Sequence, residues 1–569
     1  PKLTRYGWYR ASMELGTLDR RVGGTHVDFI WMPSDRAGPD GVAESAGAFG
    51  GDRRRFGIVL EDLPVASRAV LPVLLAQIGS GNVTIPVWEA NQNPDSVRDL
   101  SMDLVGLVSE LKAGWQDVAF ALPRMPRELA ETTKLEAEDL GSLFARDEKA
   151  WLPFLLPLVD KYGQTVRRWQ IGRVGAAPAL GRDTAAKMAR LESLLAKMVP
   201  GPVVAVPWPA ELAASSAVPG PGVGDLVVSL SYGTPPEAIP LMGAAWHEAL
   251  GASPPAITAA LELLPPDQFS RQESCNGMVK RAVQFWATFC AAGAERPGGV
   301  TLVQPWQWPT QDRQQIMPRA ELAAYANLVS RLAGRRVVGT MPSSPGVTCY
   351  ILASATGSGG QGRTGALVAW SDAPASGAAI EAFLGDGEIQ AVDMWGNRTP
   401  VQRTGGDSRS GESAKPVVHR VPLSDEPTFV ENVDVDLARL IASFHLEPDY
   451  LAARGGEHEL TMVLTNPFST RAQGRITVLE PGGLSGDPAN RDRSSRISPR
   501  SSTFALAPGE TARIPITVSF SAAEEAGLKP FVADLQLTAD REYGSIRVSS
   551  ALDIRLENVQ LEVAYRVAP

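Results

Sequence analysis

Carboxylates, indoles and arginines are the side chains whose positions in this sequence could do chemistry. Glu61, Asp62, Glu89, Glu211 and Glu262 each fall at or just after the end of an apolar, β-rich run. Two carboxyl groups brought to one site can divide the roles of proton donor and base or nucleophile; a carboxylate at a strand end can equally stand solvated. Trp88, Trp169, Trp208, Trp306 and Trp308 lie in or at the ends of four such runs. There their flat rings could stack on pyranose faces and donate indole N–H bonds, or simply fill a core. Arg124 and Arg173, also near strand ends, could hold an anionic group or pair with neighbouring acids.

Several other chemistries lack their residues. His26, His247, His419, His445 and His458 are scattered, so no metal-ligand cluster is visible, and none of Cys275, Cys290 and Cys349 has CxxC spacing. There is no nucleophile elbow, phosphate loop or dinucleotide fingerprint. No cofactor and no metal are expected.

The elements that would position these side chains follow from periodicity. Eight apolar runs begin at residues 56 (FGIVLEDLP), 83 (VTIPVWEAN), 117 (DVAFALPRMP), 168 (RWQIGRV), 203 (VVAVPWPA), 225 (DLVVSLSY), 257 (ITAALELLP) and 301 (TLVQPWQWP). Stretches with apolar residues at three- and four-residue spacing separate several of them: residues 96–111, 149–162, 184–198, 237–250, 278–293 and 319–332. Eight βα units predict a (β/α)₈ barrel over residues 55–336. A doubly wound sheet would need glycines after the first strand, where Glu61-Asp62-Leu63-Pro64 stands.

After about residue 336 the pattern changes to strands without helices. It predicts a small accessory β-sandwich over residues 337–436, then an immunoglobulin-like β-sandwich over residues 437–569. A Ser/Arg/Gly-rich stretch, residues 403–415, reads as a loop. Residues 1–54 read as the tail of an upstream domain or as a bottom cap for the barrel.

Length and charge agree with such a chain. Its 569 residues exceed what one core normally serves. A net charge of −9, with no long basic run, argues against a nucleic-acid surface. No window approaches the ~20 apolar residues of a membrane-spanning helix. The start at Pro1 reads as a processed form or a fragment.

With the barrel placed, the order of elements resembles the clan A glycoside hydrolases, in particular the family 39 type. The segment WLPFLLPLVDKY from Trp151, followed by VRRWQIG from Val166, is similar to the helix and fourth strand that precede that clan's Asn-Glu acid/base pair. The stretches LVAWSD from Leu367, VDMWGN from Val392 and PLSDEP from Pro422 resemble strands of the family 39 accessory sandwich.

The resemblance implies a carbohydrate partner, an extracytoplasmic location, and two carboxyl groups ending strands four and seven. Glu262 stands near the nucleophile position, but the fourth strand ends Gly172-Arg173-Val174, with no acid. Arginine stays protonated and valine has no proton to give. Three readings follow. The first is a glycoside hydrolase-like carbohydrate-binding pseudoenzyme with lost or weakened catalysis. The second is an active glycosidase with Glu262 as nucleophile and a relocated acid/base, Glu89 being the first suspect. The third is a structural cell-envelope or assembly protein that uses the barrel as scaffold and contacts protein partners through its β-modules.

Overall fold

The computed structural model describes residues 3–17, 20–33, 50–180, 184–214, 224–250, 255–290, 298–310, 316–342, 346–354, 364–372, 377–405, 416–479, 496–520 and 524–556. Most of the expected loop at residues 403–415 lies outside them. Among the described residues, no helix is long and apolar enough to cross a membrane. The chain forms two compact units, one of residues 1–337 with residues 354–356 and 392–398, the other of the remainder.

In the first unit eight parallel strands close a barrel in chain order: Phe56–Val59, Asn82–Pro86, Asp117–Leu122, Arg168–Ile171, Val203–Pro209, Asp225–Leu230, Ile257–Leu261 and Gly299–Val303. The eighth pairs back with the first, from Val300 opposite Phe56 to Val303 opposite Val59. Each expected run overlaps one of these strands, two of which begin earlier, at Asn82 and Gly299. They are short because a parallel strand covered on both faces stays apolar only through the barrel wall. The outer layer includes Pro94–Ala113, Glu148–Tyr162, Thr184–Leu195, Ile239–Leu250, Arg271–Phe289 and Ala320–Leu332. Leu71–Ile78, between the first two strands, is a further helix that periodicity did not reveal.

Parity along the strands decides what faces inward. Thr84, Gln170, Val227 and Thr301 line the lumen. Phe56, Phe120 and Trp169 take the opposite parity, and Phe56 stacks on Trp286 of the Arg271–Phe289 helix with ring centroids 4.8 Å apart.

Among the described residues before the barrel, 3–17 and 20–33 stand at its mouth end and not below it as a bottom cap. Gly7–Thr17 and Arg20–Trp31 make an antiparallel hairpin. Trp8 donates its indole N–H to the Pro318 carbonyl at 3.0 Å, and the Arg271 guanidinium lies 3.6 Å from the Trp8 ring centroid. Arg271 opens the helix that follows the seventh strand, so the hairpin is held at the end of the barrel where the strands finish.

The second unit is built of mostly antiparallel sheets, Tyr450–Ala452 pairing parallel with Glu542–Arg555. Val347–Ser354, Thr364–Ser371 and Thr428–Asp434 form the middle of a six-stranded sheet, accompanied by a three-stranded sheet of Ala379–Ala382, Val418–Pro422 and Arg403–Thr404. Then come a four-stranded sheet centred on Gly456–Thr465 and Thr511–Phe520, and a five-stranded sheet that includes Ala472–Val478, Gly527–Thr538 and Glu542–Arg555. A barrel followed by β-sandwiches is therefore the fold. The expectation of strands without helices needs one correction: Val435–Ser443 is a helix, capped by Asp434, which accepts from the Leu437 N–H at 3.1 Å.

Candidate active site at the barrel mouth

Glu262 follows directly on the seventh strand, Ile257–Leu261, and its backbone N–H still bonds the Leu230 carbonyl of the sixth at 3.1 Å. This fixes its place at the C-terminal end of the barrel, where the fold concentrates its functional side chains. The side chain is half-buried, and Oε1 is sealed from solvent without a hydrogen-bond partner. What seals it is the loop after the fourth strand. A β-carbon at Gly175 would stand 2.4 Å from Glu262 Oε1, and Gly175 has φ +77°, a conformation that favours glycine. The Gly175 N–H is anchored on Ser229 Oγ at 3.0 Å.

Burial pushes the Glu262 carboxyl above the usual carboxylate range, and the neighbouring charges of Glu211 and, less, Glu61 add to the rise. Arg281 and Arg173 oppose it. Arg281 is buried beneath the mouth. Its Nη1 donates to the carbonyls of Leu230 and Ser231, at 3.1 and 2.5 Å, and its Nη2 to the Glu262 carbonyl at 2.9 Å. One planar guanidinium thus ties together the ends of strands six and seven. Desolvation pulls its pKa down to about 10, which leaves it charged at neutral pH. Glu211, just past the fifth strand, accepts from the hydroxyls of Ser231 at 2.7 Å and Thr234 at 2.9 Å.

Beside this cluster a cleft of about 870 Å³ opens over the ends of strands one to four. Glu61, Asp62, Trp88, Glu89, Arg124 and Arg173 are among its lining residues, and Glu262 is not. Arg173 therefore occupies the cleft side of the fourth strand's end. Glu89 is exposed, with its backbone N–H bonded to Gln92 Oε1 at 2.9 Å. The structure brings Glu262, Arg173 and Glu211 into one electrostatic group and leaves Glu89 outside it.

No protein-family model matches the sequence, and no curated protein matches it. Solved structures do match in shape. A family 39 glycoside hydrolase from the gut symbiont Bacteroides cellulosilyticus WH2 aligns with a TM-score of 0.50 at 11% identity, over 76% of this chain and 89% of that one. The chain shares the fold of a family 39 glycoside hydrolase. A GH30 endoxylanase from Clostridium papyrosolvens C71 aligns with a TM-score of 0.39 at 12% identity over 67% of this chain and 96% of its own. For an alpha-L-fucosidase GH29 from Bacteroides thetaiotaomicron the values are 0.38, 10%, 69% and 96%. At such identities the likeness is one of fold.

On this glycoside hydrolase fold the five indoles do not form an open aromatic rim. Trp88, Trp169, Trp208, Trp306 and Trp308 are each no more than 6% exposed. Parity is the reason for two of them: Gln170 and Ala205 turn into the lumen, so Trp169 and Trp208 turn outward beneath the helical layer. Trp169 packs edge-on against Phe120 at 5.5 Å. Trp88 stands in the cleft wall but spends its N–H on the Phe154 carbonyl at 3.0 Å. Trp306 and Trp308 pack edge-to-face at 5.3 Å, and Trp308 donates to the Asp62 carbonyl at 3.1 Å. With their faces covered in this way, the indoles offer a sugar ring little surface to stack on.

Arg281, Ser231, Thr234 and Gly175 were missed in the sequence. A signal existed for Arg281: it lies three residues beyond Met278 and four before Phe285, on the buried stripe of its helix. Nothing in the sequence marks Gly175, whose contact with Glu262 depends on how the loop folds.

Proposed function

We propose that this protein holds a carbohydrate in the cleft at the mouth of its barrel and does not cut it by the two-carboxylate retaining route. The carbohydrate comes from the fold shared with the family 39 glycoside hydrolase, and an extracytoplasmic location would come with it. The loss of hydrolysis rests on one observation, the sealing of Glu262 Oε1 beneath Gly175. A retaining site needs two carboxyl groups about 5 to 5.5 Å apart with the reacting sugar between them. Here Gly175 in the loop from the fourth strand lies against Glu262 Oε1, and Arg173 at the end of that strand lines the cleft where an acid would be needed.

Calorimetry against neutral and uronic-acid oligosaccharides tests the binding. Arg173→Ala should weaken the ligand found by about tenfold or more, the scale of a charge-assisted hydrogen bond. Activated aryl glycosides, whose leaving group needs no protonation, test the chemistry. The expected outcome is no release of the aryl group and no trapped glycosyl-enzyme. Turnover abolished by Glu262→Gln would overturn the non-hydrolytic reading, and further loss in Glu211→Gln would then name the second carboxyl.

A further inference from the structure

The barrel has a second cavity at the opposite end, where its strands begin. About 510 Å³ of space runs from a rim bearing Arg54, Arg55, Lys112, Arg167 and Arg168 to a lumen walled by polar side chains including Thr84, Gln170 and Thr301. Asp117 is the one carboxylate among the described lining residues. Arg54 and Lys112 share it, at 3.6 and 3.8 Å. Arg168 pairs with Asp225 at 2.8 Å, and Arg55 lies 3.9 Å from Asp52. Five cations thus meet three carboxylates, leaving about two positive charges in excess.

Two of the cations have unused donors. Arg167 is exposed, and its side chain makes no ion pair or hydrogen bond among the described residues. The Arg55 side chain is only 9% exposed, and its Nη2 is buried without a hydrogen-bond partner. Arg55 contributes its charge from below the rim, held with Nε on the Gly298 carbonyl at 2.8 Å and the guanidinium 4.2 Å from the Trp286 ring centroid, and Arg167 is the donor free to meet an anion in the cavity. The space is many times the ~30 Å³ of a water molecule.

We propose that this basal cavity binds a small phosphate-bearing molecule. Guanidinium forks match phosphate oxygens two at a time, and a phosphate monoester carries close to two negative charges at neutral pH, equal to the excess. The threonine and glutamine side chains deeper in the lumen supply neutral hydrogen-bonding groups for the rest of the molecule. Its basic rim lies at the opposite end of the barrel from Arg173, although Val59 and Gln170 line both this cavity and the mouth cleft.

Calorimetry on the full chain with inorganic phosphate, pyrophosphate and citrate is the test. Phosphate or pyrophosphate should bind saturably and more weakly as salt is raised. Arg167→Ala and Lys112→Ala should each lower that affinity about tenfold, while Arg173→Ala at the mouth leaves it unchanged. Arg167 and Lys112 are exposed, so both variants should melt as the parent does without ligand, which separates a lost site from a lost fold. No binding at millimolar phosphate or pyrophosphate would overturn the proposal. So would citrate binding as tightly as pyrophosphate, or an affinity indifferent to both basal substitutions.

Discussion

Glu262 sits where its own charge is unwelcome, and this has a consequence for stability that requires no ligand. Its carboxyl is raised by burial first and by Glu211 next. A carboxyl whose folded pKa exceeds its unfolded value makes the folded state hold a proton that the unfolded state has released. Its favourable contribution is complete below the ordinary glutamate value and is lost as pH climbs through the raised one. Glu262→Gln, neutral throughout, escapes that loss. Thermal melts from about pH 4 to pH 8 should show the variant drawing ahead of the parent as pH rises and meeting it at the acid end. A variant less stable than the parent at neutral pH would mean that Arg281 and Arg173 outweigh burial. The residue's address at the end of strand seven was legible from the run ITAALELLP. Its sealing was not, because that depends on Gly175 meeting it from more than eighty residues away in the chain.

Strands and helices were legible to the extent that their pattern is local. The eight barrel runs each overlap one strand, because alternation and apolar content are written within a few residues. Which face a tryptophan takes is also written there, but only once the lumen side is known, which Gln170 and Ala205 set. The helix Arg271–Phe289 carries its own start signal, a capping box in which Ser270 accepts from the Glu273 N–H at 3.2 Å and Glu273 Oε2 from the Ser270 N–H at 2.8 Å. Periodicity alone placed that start seven residues late. This helix also delivers Arg281 to the mouth, and its guanidinium satisfies three carbonyls on two strands. Arg281→Met should therefore destabilise the protein by about 3 kcal/mol or more, as expected when a buried charged partner is removed from the carbonyls it satisfies. Chemical denaturation would measure it. Arg281→Lys should recover little, because one ammonium cannot span both strand ends; full recovery would show that charge, and not the fork, holds the strands.

At the scale of the whole chain the outcome differs most from what periodicity alone conveys. Composition and turn spacing predict a boundary between residues 436 and 437, yet the helix Val435–Ser443 crosses it. Leu437, Leu440 and Ile441 of that helix belong to one buried apolar cluster with Ile351, Leu367 and Val430 on one side and Leu460, Ile476 and Ile546 on the other. Asp434, which caps the helix, also takes the Arg541 guanidinium at 3.0 Å and the Tyr543 hydroxyl at 3.3 Å. A nine-residue helix directly after a strand shows about two and a half turns of periodicity, too little to stand out against the alternating pattern around it. A fragment of residues 338–569 should accordingly melt in one cooperative transition, because its sheets share a single core. A fragment of residues 437–569 would begin inside the helix, without Asp434 at its cap, and would leave Leu437, Leu440 and Ile441 without the upstream half of their packing. It should melt lower and less cooperatively, in proportion to the apolar surface left open. Calorimetric melts of the two fragments decide the point: equal, sharp transitions would make the last sandwich an independent domain, and a broad or absent transition in the shorter one would make the two sandwiches a single folding unit.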